Sequence, residues 1–256
     1  MDNIKLYNGD CLDVMDKLIK EGVKVDAIIT DIPQEITQND WDRAIPLKKM
    51  WDRLYKIRRN IRTPIVLFSN QPFTTDLIAS NRKHFKYMRY WHKDRPSGFL
   101  NAKRQPLRDV EEIITFYENQ CLYNPQFWEG EPLHGLGNKY KEVDGNNNNY
   151  GNFDDNNEIR DARKSSTQKY PRQMLSHQRP HPPIHPTEKP VSLLEDLILT
   201  HTNENDTVLD FTIGSGTTGV AAKNLNRKFI GIELDKKYFE IAKERIENHN
   251  VQERLI

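Results

Sequence analysis

Val208-Leu209-Asp210-Phe211-Thr212-Ile213-Gly214-Ser215-Gly216-Thr217-Thr218-Gly219 is the stretch on which the fold turns. Its first four residues end a strand. Gly214 and Gly216 make a tight turn, and Thr217-Thr218-Gly219-Val220-Ala221 opens a helix. Glycines at such a turn let the backbone approach a ligand where a Cβ would clash. About twenty residues beyond Asp210, Phe229-Ile230-Gly231-Ile232-Glu233 reads as a second strand ending in an acid, placed to accept both hydroxyls of a ribose. Strand, glycine turn, helix, strand and terminal acid together point to a cofactor containing a nucleoside. No Lys follows the glycines, so a P-loop is excluded. The spacing of Gly214, Gly216 and Gly219 also fits the dinucleotide fingerprint, so spacing alone leaves NAD open.

Outward from this unit, strand-length apolar runs alternate with helical periodicity. Residues 25–30, 65–68, 85–92, 110–117, 206–211 and 228–233 read as strands. Residues 46–61, 71–81, 190–201, 217–226 and 235–249 read as helices, the first with Pro46 at its start. The alternation predicts an α/β fold with a parallel-dominated sheet covered on both faces. Residues 119–184 break the pattern. They hold a run of four Asn at 146–149 and end in a His/Pro-rich stretch. They are expected to form an insertion that carries specificity, a plain linker being the other reading. Arg160, Arg163, Lys164, Lys169, Arg172 and Arg179 favour a partner surface, since basic side chains spaced through a polar loop suit phosphate contacts.

The formal net charge of +1 does not announce a nucleic-acid binder, so any such face must arise from local asymmetry. Cys11 and Cys121 are too few and too far apart for a metal knuckle or a disulfide framework. No metal is expected. No apolar run approaches the ~20 residues of a membrane span, and the first residues lack the apolar region of a signal peptide. A soluble, cytoplasmic protein is the expectation.

Asp210-Phe211-x-x-Gly-Ser-Gly-Thr-Thr, preceded by His185-Pro186-Thr187-Glu188-Lys189-Pro190, resembles the S-adenosylmethionine region of amino-group DNA methyltransferases. In the permuted β-group of that family the catalytic motif precedes the cofactor motif. The same order holds here, with Asp31-Ile32-Pro33-Gln34 first, the long middle segment next and the glycine turn last. Asn8-Gly9-Asp10-Cys11, Phe68-Ser69-Asn70 and Gly98-Phe99-Leu100-Asn101 extend the likeness. The resemblance implies a Rossmann-like methyltransferase domain in circularly permuted order. Residues 1–118 would form its catalytic half, 119–184 a target-recognition insertion and 185–256 its cofactor-binding half. It implies that Asp210, Phe211, Gly214, Ser215, Gly216 and Thr217 line the methionine half of S-adenosylmethionine. Glu233 would hold the ribose, and Asp10 and Cys11 would sit beside the adenine. His185, Thr187 and Lys189 would close over the methionyl end. Double-stranded DNA is the implied partner, and relatives often form homodimers. A restriction partner and a solitary phage-type enzyme both remain open.

Methyl transfer to an exocyclic amine needs acceptors that draw the nitrogen toward sp3 and expose its lone pair. A carboxylate and a neighbouring backbone carbonyl suffice, and an aromatic residue stacks on the flipped base. The family motif is Asp-Pro-Pro-Tyr, its Asp typical of adenine-N6 enzymes; cytosine-N4 enzymes usually carry Ser there. This chain keeps Asp31 and Pro33 but has Ile32 for the first proline and Gln34 for the aromatic. Ile does not fix φ as proline does, and Gln offers no stacking face. Three readings follow: an active enzyme with Tyr55, Trp41 or Tyr90 as substitute stacker, a natural pseudo-enzyme binding cofactor and DNA, or an engineered inactive form.

Overall fold

The computed structural model describes residues 3–34, 44–130, 167–184 and 188–250. The chain divides into two compact units, one of Met1–Asn124 with Arg172–Ile256, the other of Pro125–Pro171.

The first unit runs β1 (Ile4–Asn8), α1 (Cys11–Lys20), β2 (Ala27–Asp31), α2 (Leu47–Ile57), β3 (Ile65–Ser69), α3 (Phe73–Ser80), β4 (Phe85–Ser97) and β5 (Arg108–Phe116). The small unit contributes β6 (Trp128–Glu129) and β7 (Gln168–Lys169). The first unit resumes with β8 (Met174–Ser176), α4 (Val191–His201), β9 (Thr207–Asp210), α5 (Thr217–Asn224), β10 (Lys228–Glu233) and α6 (Lys236–Asn248). Its sheet has the order β1-β10-β9-β2-β3-β5-β4-β8. The five strands from β1 to β3 are mutually parallel. β5 is antiparallel to both β3 and β4, and β8 is parallel to β4.

Residues Ala27–Thr30 of β2 and all of β3 are buried, as a strand covered on both faces must be. Side chains of a strand alternate between faces. Ala27, Ile29, Val66 and Phe68 accordingly pack with Leu193 and Leu197 of α4 and Val220 of α5. Ile28, Ile65 and Leu67 meet Met15 and Leu18 of α1 and Met50 and Leu54 of α2. The apolar stripe Met50, Trp51, Leu54 and Ile57 recurs at three- and four-residue intervals and is buried. Residues 4–20, for which no element was expected, form β1 and α1.

The strand after β2 lies on one side of it and the strand after β9 on the other, so chain direction across the sheet reverses between β9 and β2. Open α/β sheets bind ligands outside the carboxyl ends of strands at such a switch point.

The flanks of the expected 119–184 insertion belong to the first unit. Asn124 N–H donates to Thr200 O (2.8 Å), β8 extends the sheet and Leu175 is buried. Strand pairing with β4 holds residues 174–176 there. In the small unit Trp128 pairs with Lys169 across β6 and β7, and the rings of Phe127 and Tyr170 lie 4.9 Å apart. Among the described residues no helix is long and apolar enough to cross a membrane.

Gly219 is where α5 meets β10 and α6. A Cβ there would press into Ile246 Cδ1 and lie 2.9 Å from Phe229 Cε1. Gly219→Val is expected to destabilise the fold by about 1–3 kcal/mol through overpacking. The check is a lower urea midpoint at unchanged m-value.

Candidate active site

Asn8, Glu233, Asp210, Asp31 and Ser69 end five neighbouring parallel strands and so share one edge of the sheet. That edge opens on a single cavity of about 680 Å³, touched by Asp10, Cys11, Glu233, Asp210, Asp31 and Gln34 among others. The size falls within the range of small-molecule sites.

At one end stands the glycine turn. Gly216 has φ 81°, and a Cβ on it would lie 3.0 Å from Ala242 Cβ, so both conformation and crowding require glycine. Gly214 N–H donates to Glu233 Oε2 (2.8 Å) and Asp235 N–H to Oε1 (2.9 Å). Each carboxylate oxygen retains acceptor capacity for a ligand hydroxyl. Burial raises the Glu233 pKa above the usual carboxylate range. Asp210 is also buried; it accepts from Thr30 Oγ1 (2.5 Å) and Thr212 N–H (3.1 Å), and burial pushes its pKa up to about 6. Phe211, Ser215 and Thr217 are buried in the cavity wall. Arg245 of α6 donates to Ser215 O, Ser215 Oγ and Thr217 Oγ1, each at 3.2 Å, and pairs with Glu188 Oε1 at 2.7 Å. It thereby ties the turn to the segment ahead of α4.

Asp10 spends its side chain capping α1, accepting from Leu12 N–H at 2.8 Å. Cys11 lines the cavity, but burial and the Asp10 charge push its thiol up to about 12, so it stays neutral and is no nucleophile. His185 and Thr187 lie outside the described residues.

At the other end, Asp31 Oδ2 accepts from Lys189 Nζ in an ion pair. Lys189 also pairs with Glu111 Oε2 at 3.2 Å, and Lys93 with Glu111 Oε1 at 3.4 Å. Burial opposes the Lys189 charge, but the carboxylates of Asp31 and Glu111 more than offset it and raise its pKa. Burial likewise disfavours charge on Glu111, and the two lysines reverse this, lowering its pKa. Thr212 Oγ1 donates to the backbone carbonyl of Asp31 at 2.9 Å, so the segment that leads into the glycine turn and the Asp31–Gln34 tetrapeptide are directly hydrogen-bonded. Ile32 is 3% exposed and packs in the core beneath α1 and α2. Pro33 lines the cavity. Gln34 Nε2 donates to Phe68 O, and its Oε1 accepts from Asn70 Nδ2, both at 3.4 Å.

Two of the three expected substitute stackers stand elsewhere. Tyr55 donates to Asn81 Oδ1 (2.8 Å) and stacks on Trp51, and neither it nor Tyr90 lines the cavity. Trp41 lies outside the described residues, as do Arg160, Arg163 and Lys164. Lys169 is half-buried in β7 and Arg172 is exposed in the first unit. Glu111, Lys93, Thr30 and Arg245 were not anticipated. Nor was Thr212 singled out, although it stands inside the opening stretch two residues after Asp210.

A family model for DNA methylases of the N6/N4 methyltransferase type matches residues 25–244. The chain belongs to this DNA methylase family. The type II methyltransferase M2.LlaDCHI of Lactococcus lactis subsp. cremoris is 60% identical over 62 residues, 24% of this chain and 23% of that protein. M2.DpnII of Streptococcus pneumoniae is 56% identical over 66 residues, 26% and 25% of the two chains. These alignments span about a quarter of the curated relatives. The crystal structure of M1.HpyAVI in complex with SAM superposes with a TM-score of 0.64 at 28% identity, covering 94% of this chain and 99% of that one. The PvuII DNA methyltransferase, described as cytosine-N4-specific, shares the fold, with a TM-score of 0.60 at 15% identity over 98% of this chain and 88% of its own.

Proposed function

We propose that the protein is a site-specific DNA methyltransferase that moves a methyl group from S-adenosylmethionine to adenine N6 in double-stranded DNA. One observation carries the reading. Asp31 opens on the same cavity as Glu233 and the glycine turn, and Thr212 bonds the two motifs together. The residues fit the cofactor: Glu233 keeps acceptor capacity for ribose hydroxyls, and the buried acid Asp210 suits a cationic methionyl end. The choice of adenine over cytosine N4 rests on Asp31 standing where Ser would otherwise be expected.

Bound there, S-adenosylmethionine supplies an electrophilic methyl group on a sulfonium. The chain's own residues orient the acceptor. Asp31 accepts a hydrogen bond from the exocyclic amine and turns its lone pair out of the ring. Lys189 fixes the rotation of that carboxylate, and Glu111 shares the Lys189 charge, so the amine does not face a fully neutralised partner. Positioning and water exclusion then supply most of the rate. Residues 1–118 act as the catalytic half, 185–256 as the cofactor half and the 119–184 region as the reader of the target. Arg160, Arg163, Lys164, Lys169 and Arg172 contact phosphates, and the enzyme works as a homodimer in the cytoplasm.

Cofactor binding is expected to be linked to protons. With its pKa near 6, Asp210 holds a proton over part of its population at pH 6, and a cationic ligand favours the ionised form. Affinity for S-adenosylmethionine should therefore rise with pH through about 6 and level off above. Calorimetry in buffers of different ionisation enthalpy should register proton release at pH 6. No release there would remove Asp210 from the cofactor site.

A second reading, a methyltransferase-like protein that binds DNA without turnover, is favoured by Gln34, whose amide rests on Phe68 O and Asn70 rather than offering a stacking face. Labelled methyl transfer to mixed-sequence duplex DNA, followed by digestion to nucleosides, separates the readings. Label in N6-methyladenine is the expected outcome. Label in N4-methylcytosine would move the substrate, and no label would leave the binding reading.

A further inference from the structure

The likeness to the family includes Gly98-Phe99-Leu100-Asn101, to which the methyl-transfer chemistry gives no task. β4 and β5 form a hairpin whose last pair is Ser97 with Arg108. Gly98, at φ 93°, turns the chain into a short 3-10 segment, Phe99–Asn101, at the tip. Phe99 is 68% and Leu100 102% exposed, the two highest values among the described large hydrophobic residues. Adjacent bare apolar side chains at a hairpin tip mark a contact surface.

Its surroundings select the partner. Residues 94–108 carry Arg95, Lys103, Arg104 and Arg108 against one acid, Asp94. That acid is already engaged, by Arg95 Nε at 3.3 Å and by the backbone N–H of Arg179 at 2.8 Å. Arg179 Nη1 in turn donates to Arg95 O at 3.3 Å, which adds a further cation at the hairpin root. The root also opens on the chemistry, for Ser97, Arg108 and Arg179 line the cavity that holds Asp31. An apolar tip ringed by cations suits a polyanion with a stacked apolar interior, which describes duplex DNA. Proteins that distort duplexes insert apolar wedges between base steps, and extruding a base for chemistry costs unstacking energy.

We propose that the hairpin tip is a DNA wedge. Phe99 and Leu100 enter the base stack beside the target nucleotide, while Arg95, Lys103, Arg104, Arg108 and Arg179 hold the flanking phosphates. The inference rests on the methyltransferase reading above and adds the element that opens the duplex.

The test is the double variant Phe99→Ala/Leu100→Ala of the full chain, assayed for labelled methyl transfer to native and to heat-denatured genomic DNA. Both side chains are exposed, so the substitutions remove no core contact. A wedge matters only where stacked bases must be parted. The loss on native DNA should exceed the loss on denatured DNA by about tenfold or more, since parting a step costs a few kcal/mol. Equal effects on the two substrates, or none, would overturn the wedge and leave the methyltransferase reading standing. Wild-type protein that methylates neither substrate would overturn both.

Discussion

Asp31→Asn is expected to lower methyl transfer by about 10²–10³-fold, the usual cost of losing one preorganised polar group at a reacting centre. Asn preserves the shape of the side chain but removes the negative charge and one acceptor oxygen. The exocyclic amine would lose the hydrogen bond that turns its lone pair outward. Folding should survive, because Lys189 keeps Glu111 as a counter-charge at 3.2 Å. The cofactor end should be little affected, since Glu233 takes its hydrogen bonds from Gly214 and Asp235 on other elements. The expected signature is therefore a fall in single-turnover rate with cofactor affinity held within about threefold, the pattern of an interaction made in the transition state. A parallel loss of cofactor affinity would instead assign Asp31 to binding.

The parts of this site that could be read in the sequence leave local marks. Gly214 and Gly216 were legible because positive φ restricts the residue type, and β2 and β3 because a strand buried on both faces is a continuous apolar run. β1 was not legible. Among the described residues it pairs with β10 alone, and its five residues alternate irregularly between half-buried and exposed. The Lys189–Asp31 pair joins positions 158 apart, and Glu111 reaches it only because β5 runs antiparallel beside β3. No spacing rule reports such a meeting. The strand at the far end of the 119–184 region is silent in the sequence for a related reason. Residues 174–176 form a three-residue strand whose register with β4 is set by long-range pairing, too short to show a period.

Gln34→Tyr is expected to raise transfer, by about tenfold to a hundredfold. Base–aromatic stacking contributes roughly 1–3 kcal/mol, and each 1.4 kcal/mol is about a decade. The Gln34 hydrogen bonds to Phe68 and Asn70 are at 3.4 Å, near the limit of such contacts, so little is given up at those two partners. The companion change, Ile32→Pro, would restore the family's Asp-Pro-Pro-Tyr motif, but the fold argues against it. Ile32 is buried in the core cluster that holds Met15, Met50 and Leu54, and a smaller ring there leaves unfilled space. The double variant should thus melt below the Gln34→Tyr single variant and transfer no faster. Steady-state transfer on duplex DNA, measured beside thermal midpoints, decides the matter. A double variant that is both faster and as stable would mean that the backbone restraint of proline outweighs the packing of Ile32. An unchanged rate for Gln34→Tyr would mean that the target base is gripped without an aromatic partner at this position.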